Sequence, residues 1–335
     1  MNDDVRTSNS PIPYDPDSRA LGVLIGYDGS EQAVQALHYA ARAAQRSGSR
    51  LTIVTAYTLP AMVYTSPATM PAVPDDVARE AAARELLQEA HQHLQGYPGE
   101  IELRATFGDA AGVLKHLSAE ARLVVVGARG RGGFLGRLLG SVSSALPSHA
   151  HCPTVVVPGH DAIGEGEGAG RFAPVQDDAP VVVGSDRSEQ SRVATVIAAL
   201  AATERKAPLH LAMTMPPAEN WGAWYPELIP DPRLQEQRRQ QLAGQLAADA
   251  DLLREQFPSL QVSSEVEMGD PATQLVEYSR TAQLTVVGTR GHGRVARALL
   301  GSVSRALLQR AEGPVLVVPD LSPERIGKDP RHPRG

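Results

Sequence analysis

Residues 121–127 read ARLVVVG and residues 282–288 read AQLTVVG, and each run passes into a glycine-rich loop. The loops are GARGRGGFLGRLLGS at 127–141 and GTRGHGRVARALLGS at 288–302. The continuous apolar run from Leu123 to Val126 suits a strand buried on both faces, as a parallel sheet requires. Glycine then recurs at a fixed spacing: glycine, two residues, glycine, nine residues, Gly-Ser. A lone Gly-x-x-Gly after a strand reads as a turn. The full spacing, placed twice behind matching strands, reads as a binding loop.

Working outward from these loops, the whole chain repeats. VLIGYDGSEQA from Val23 aligns with VVVGSDRSEQS from Val181, which sets Asp28 opposite Asp186 at an offset of 158. FGDAAGVL from Phe107 aligns with MGDPATQL from Met268 at an offset of 161, and CPTVVVP from Cys152 with GPVLVVP from Gly313. A period of this length exceeds any solenoid unit, so it marks a duplicated domain. The reading gives a disordered N-terminal tail at 1–18, a first domain at 19–159, a flexible linker at 160–178, a second domain at 179–320 and a C-terminal tail at 321–335.

Within the first copy, strand-like runs at 22–27, 51–57, 101–107, 122–127 and 154–158 alternate with helical Ala/Leu spacing at 31–46, 75–95, 110–120 and 137–149. Such alternation means βαβ units with right-handed crossovers. The fold class is therefore α/β, with two tandem doubly wound domains, Rossmann-like, of five parallel strands each. The last strand of each copy is short and apolar. An exposed edge of that kind invites pairing.

Composition sets outer limits. The 335 residues suffice for two cores, and with 42% hydrophobic but only 4% aromatic residues those cores must be Ala, Val and Leu. A net charge of -6 argues against general binding of nucleic acid or anionic membrane, while leaving room for a local basic pocket. The single cysteine, Cys152, rules out an intrachain disulfide and reads as a small residue before a strand rather than a nucleophile. His149, His151 and His160 match no metal-ligand spacing, so no metal site is assigned. The N-terminus lacks the apolar centre of a signal peptide, and no run approaches a membrane span. The expected location is cytoplasmic.

In doubly wound sheets, ligands bind beyond the carboxyl ends of the strands where strand order reverses. Asp28 and Asp186 follow the first strand of each copy, Gly127 and Gly288 end the fourth, and Gly140 and Gly301 precede Ser141-Val142-Ser143 and Ser302-Val303-Ser304 at helix starts. Glycine there lets backbone amides approach a ligand and supplies positive φ where needed. Successive amides at a helix N-terminus cradle phosphate, with Arg129, Arg131 and Arg137 adding charge in one loop and Arg290, Arg294 and Arg297 in the other.

These motifs, with an aspartate after the first strand and a closing Val-x-Val-Pro, resemble the universal stress protein family in its ATP-binding branch, in a tandem form. The resemblance covers roughly 19–159 and 179–320 and implies ATP as ligand, Mg²⁺ or Mn²⁺ accompanying the triphosphate, and pairing of the domains through their last strands as a pseudo-dimer. It admits a homodimer of the whole chain and names no protein partner. It implies that Asp28 and Ala56 lie beside adenine, that Gly127 and Gly130 approach ribose and phosphates, and that Gly140, Ser141 and Ser143 hold the triphosphate. The matching positions are Asp186, Thr214, Gly288, Gly291, Gly301, Ser302 and Ser304.

Two departures stand out. The family usually has an acidic residue before the fourth strand, where this chain has ARL and AQL, so those strand starts are expected to lack that acidic anchor. In the second copy GSDRS replaces GYDGS and places Arg187 beside the adenine pocket. No Gly-x4-Gly-Lys-Ser/Thr is present, and no base or water-positioning group stands out. The expected function is a non-enzymatic, nucleotide-dependent stress-response regulator. The alternatives are a slow ATP-hydrolysing or ATP-dependent transfer enzyme, and an interaction scaffold with vestigial sites.

Overall fold

The computed structural model describes residues 14–59, 75–130, 139–159, 171–173, 178–216, 232–289 and 300–321. The first half runs β1 (Gly22–Gly26), α1 (Glu31–Ser47), β2 (Leu51–Tyr57), α2 (Asp75–His93), β3 (Ile101–Phe107), α3 (Ala110–Leu117), β4 (Ala121–Gly127), α4 (Ser141–His149) and β5 (Thr154–Val157). The second half runs β6 (Val181–Gly184), α5 (Glu189–Arg205), β7 (Leu209–Met215), α6 (Pro232–Gln256), β8 (Val262–Met268), α7 (Pro271–Tyr278), β9 (Leu284–Gly288), α8 (Ser302–Arg310) and β10 (Val315–Val318). The helix expected from residue 137 starts at Ser141, because Gly140 is extended (ψ 165°) in N-cap geometry.

All ten strands form one sheet in the order β3-β2-β1-β4-β5-β10-β9-β6-β7-β8. Within each half every pairing is parallel, so each domain is the expected five-stranded doubly wound unit. The halves join by one antiparallel ladder, with Thr154 opposite Val317, Val155 opposite Leu316 and Val156 opposite Val315. Because that ladder is antiparallel, the carboxyl ends of the two sets of strands face opposite edges of the common sheet. Strand order reverses between β1 and β4 in one half and between β6 and β9 in the other.

The central strands β1, β5, β6 and β10 are almost wholly buried, whereas β3, at one edge, is only half-buried. In the first half α1 and α2 pack on the sheet as one pair and α3 and α4 as another, and α1 meets α5 across the seam. Cys152 is fully buried just before β5, and burial pushes its thiol up to about 12, which leaves no reactive thiolate.

Two expectations need correction. Residues 14–18 are not a disordered tail: Tyr14 is buried and donates its hydroxyl to the Arg122 carbonyl, and Asp17 pairs with Arg122 at 2.6 Å. Part of the linker is docked as well. Phe172 is fully buried, stacked on His38 at 5.7 Å and edge-on to Tyr97 at 5.4 Å. An aromatic that large gains enough from burial to hold Arg171–Ala173 on the first half. The strand starts lack the acidic anchor, as expected, and use other polar groups instead. Arg122 also pairs with Glu204 across the seam, and Gln283 donates to the Ala179 carbonyl at 2.9 Å.

His38 lies under this linker contact. Burial, then the charges of Arg171, Arg42 and His93, lower its pKa from 6.5 to about 4. Between those values the unfolded chain takes up a proton that the folded chain refuses, so the neutral-imidazole contribution is present above 6.5 and is lost as pH falls toward 4. Denaturation of wild type and His38→Gln from pH 7 to 4.5 checks this: the wild type should lose more stability on acidification than the variant. Parallel pH curves would remove His38 from the acid sensitivity.

Candidate functional site

The reversal point between β1 and β4 opens into a cavity of about 660 Å³, a size suited to a small-molecule ligand. Asp28, Ala56, Gly127, Arg129, Gly130, Gly140, Ser141, Val142 and Ser143 all line it. The structure thus brings together every described site residue expected in the first copy. Val54, Leu86, Leu114, Leu139 and Val142 supply an apolar wall. Arg131 and Arg137 lie outside the described residues.

The residues divide by what their backbone and side chains do. Gly140 is the N-cap of α4 and has no side chain to accept from the first turn. Four other helices are capped by side chains: Ser30 accepts from Ala33, Asp109 from Gly112, Ser188 from Ser191 and Asp270 from Thr273. The first intrahelical bond of α4 is Ser144 N–H to the Gly140 carbonyl. The amides of Ser141, Val142 and Ser143 therefore precede the helical ladder and carry the positive end of the helix dipole. Ser141, Val142 and Ser143 all line the cavity, and amides at such a helix start favour an anion.

The Ser143 hydroxyl also has a structural part. The residue is buried, and its hydroxyl donates to the Ala128 carbonyl at 2.6 Å, with the Gly140 carbonyl at 3.2 Å. The Gly140 amide donates to the same Ala128 carbonyl at 2.9 Å. Ser143 thus ties α4 to the loop after β4 and sets the angle of the exposed amides. Ser304 repeats this in the second half, donating to the Gly301 carbonyl at 3.1 Å and the Thr289 carbonyl at 3.3 Å, while Gly301 N–H reaches Thr289 at 2.8 Å.

The glycines also need re-reading. None of Gly127, Gly130, Gly140, Gly288 or Gly301 has a left-handed φ. A Cβ on Gly127 would lie 3.0 Å from the Gln32 carbonyl, so that glycine admits α1 against the end of β4. A Cβ on Gly130 would meet the Asp28 carboxylate at 2.3 Å. Gly140 has open room by comparison, with its nearest neighbours at 3.5 Å. The positive φ falls instead on Gly29 (74°), directly after Asp28.

Asp28 accepts the Ser30 amide at 3.0 Å, and Asp186 accepts the Ser188 amide at the same distance. Gln32, missed in the sequence reading, accepts the Arg129 amide at 2.7 Å and holds the loop on α1. Its counterpart Gln190 donates to Thr289 Oγ1 at 2.7 Å. The signal was present: SEQ recurs after the aspartate in both copies.

In the second half Thr214 lies on β7, Gly288 ends β9, and Ser302-Val303-Ser304 open α8 behind Gly301. Arg290 and Gly291, like Arg294 and Arg297, lie outside the described residues. Arg187 takes the place of Gly29 and keeps its left-handed conformation, φ 62°, at a cost for a side-chain-bearing residue of about 1–2 kcal/mol. Its guanidinium is anchored on α6 by Asp249, at 2.8 Å, and by Gln245. In the first half the corresponding tie is Tyr27 to Glu89 on α2, at 3.1 Å.

The chain matches the family model described as Universal stress protein family at residues 22–158 and 179–319. A universal stress protein of Mycobacterium tuberculosis is 34% identical over 303 residues, covering 89% of this chain and 96% of that one. Another from the same species is 32% identical over 338 residues, covering 93% and 98%. A solved universal stress protein from Archaeoglobus fulgidus shares the fold at a TM-score of 0.63 and 20% identity, covering 90% of this chain and 99% of that one.

Packing at the two glycines separates architecture from ligand. Without ligand, Gly140→Ala should cost under about 1 kcal/mol, as a modest loss at an N-cap. Gly127→Ala must push against the α1 backbone and should cost about 1–3 kcal/mol. Urea denaturation of both variants reads the difference, and a larger loss at Gly140 would contradict the assignment.

Proposed function

The chain belongs to the universal stress protein family, and we propose that it is an ATP-binding regulator with one nucleotide site per half. The reading is carried by one coincidence. An uncapped helix N-terminus, a carboxylate at the end of β1 and an apolar wall line the same cavity in the first half. The amides of Ser141 and Val142 suit phosphate oxygens, with Arg129 adding charge. Asp28 suits a base amino group or sugar hydroxyl, and Val54, Ala56 and Leu86 suit a planar base. Mg²⁺ or Mn²⁺ would travel with the triphosphate rather than require a ligand set from the protein.

Binding is favoured over turnover by the inventory of the first cavity. Among its described lining residues the ionisable side chains are Tyr27, Asp28 and Arg129, and Asp28 is already engaged with the Ser30 amide. ATP occupancy then acts by biasing conformation or partner choice, since binding energy that differs between two states shifts their populations.

Calorimetric titration of ATP with Mg²⁺ into nucleotide-free protein tests this. Two ATP per chain are expected, with unequal affinities because Arg187 replaces Gly29. Gly140→Glu with Gly301→Glu should stay folded and lose both sites. Two lost amide-to-phosphate contacts at about 1.5–3 kcal/mol each mean roughly a hundredfold weaker binding or more, before charge repulsion is counted. Wild-type affinity in the folded double variant would refute the assignment.

A further inference from the structure

The seam between the halves gathers guanidinium groups from both sides. Arg46, in the last turn of α1, lies over the Tyr39 ring at 5.9 Å. Arg205, in the last turn of α5, donates to the hydroxyl of the same tyrosine at 2.7 Å. Two guanidinium groups, one from each half, are thus brought to one buried side chain. Arg42 lies one turn earlier on α1. The carboxylate close by, Glu204, is held by Arg122.

Complementing the helix dipoles does not account for the pair. The last carbonyls of α1 and α5 are met by backbone amides beyond each helix, Ser49 to Ala44 at 3.0 Å and Ala207 to Ala202 at 3.0 Å. Arg205 has one further backbone partner, the Ala201 carbonyl at 3.2 Å. None of the described hydrogen bonds or ion pairs uses Arg46, and its Nε is buried without a partner. Burial and then the Arg205 charge pull the Arg46 guanidinium down from its ordinary range to about 10, against the smaller opposing effects of Tyr39 and Glu204. The Tyr39 hydroxyl accepts from Arg205, so its own proton remains to be donated. What converges on this spot is donors.

We infer that the α1–α5 seam is a further anion site, in which Arg46, Arg205 and the Tyr39 hydroxyl hold a small phosphate-type oxyanion. Planar guanidinium forks match such oxyanions in a way that chloride cannot reproduce. Since the ligands come from both halves, occupancy strengthens the pairing of the domains, by mass action on the docked state alone. The site lies at the seam and does not depend on the nucleotide assignment.

Inorganic pyrophosphate is the probe, and the full-length Gly140→Glu, Gly301→Glu protein is the background, so that the nucleotide cavities do not contribute. Thermal unfolding is followed at millimolar pyrophosphate and in chloride of matched ionic strength. The expected result is a saturable rise of a few degrees with pyrophosphate, absent after Arg46→Gln and reduced after Arg205→Gln. No rise over chloride overturns the proposal, and so does a rise that survives Arg46→Gln. If Arg205→Gln proves too unstable to purify, Arg46→Gln decides, with calorimetric titration of pyrophosphate as the direct reading. Failure of ATP binding would leave this result unchanged, which separates the two proposals.

Discussion

Everything in this molecule is arranged around a three-residue antiparallel ladder between β5 and β10. Each strand is short, apolar and buried, and alone would end a parallel sheet in an open edge. Pairing them closes both edges at once and merges two five-stranded sheets into one of ten. The direction of that single ladder fixes the rest. It turns the carboxyl ends of the two strand sets toward opposite edges, so the two reversal points cannot share a ligand. It also brings α1 against α5, which sets Arg46 and Arg205 on Tyr39 and Arg122 on Glu204.

At each reversal point the chain leaves one helix end without a side-chain cap. Glycine at 140 and 301 is not there for a rare backbone angle, since both are extended with ordinary negative φ. What glycine omits is the acceptor that Ser30, Asp109, Ser188 and Asp270 supply elsewhere. Amides left open at a helix start weaken the free protein slightly and favour an anion. Ser143 and Ser304 keep those amides in place by bonding back to the loop after β4 or β9. The halves differ just behind the aspartate, where Gly29 gives way to a strained and anchored Arg187.

The repeat made the fold legible, because two copies of one pattern show which apolar runs and glycines belong to the architecture. The glycine spacing and the aspartate pointed to the residues of the first cavity, and the family resemblance alone pointed to Ala56. Tertiary contacts were not. Nothing local marks Phe172, set among glycines and acids, as a fully buried side chain, or Tyr14 as part of the core. Gly127 looks like a ligand glycine in sequence, yet it serves the approach of α1 to β4. The hydroxyl of Ser143 could have faced ligand or loop, and only the position of the Ala128 carbonyl decides between them.

The central claim is that each half holds one ATP at the start of its uncapped helix. Native mass spectrometry of the full chain, purified and then equilibrated with ATP and Mg²⁺, tests it most directly. The account predicts species heavier than the bare polypeptide by one and by two ATP, with the second mass step absent when only Gly301 is changed to Glu. A spectrum of bare polypeptide alone, at ATP concentrations near those inside cells, would contradict it.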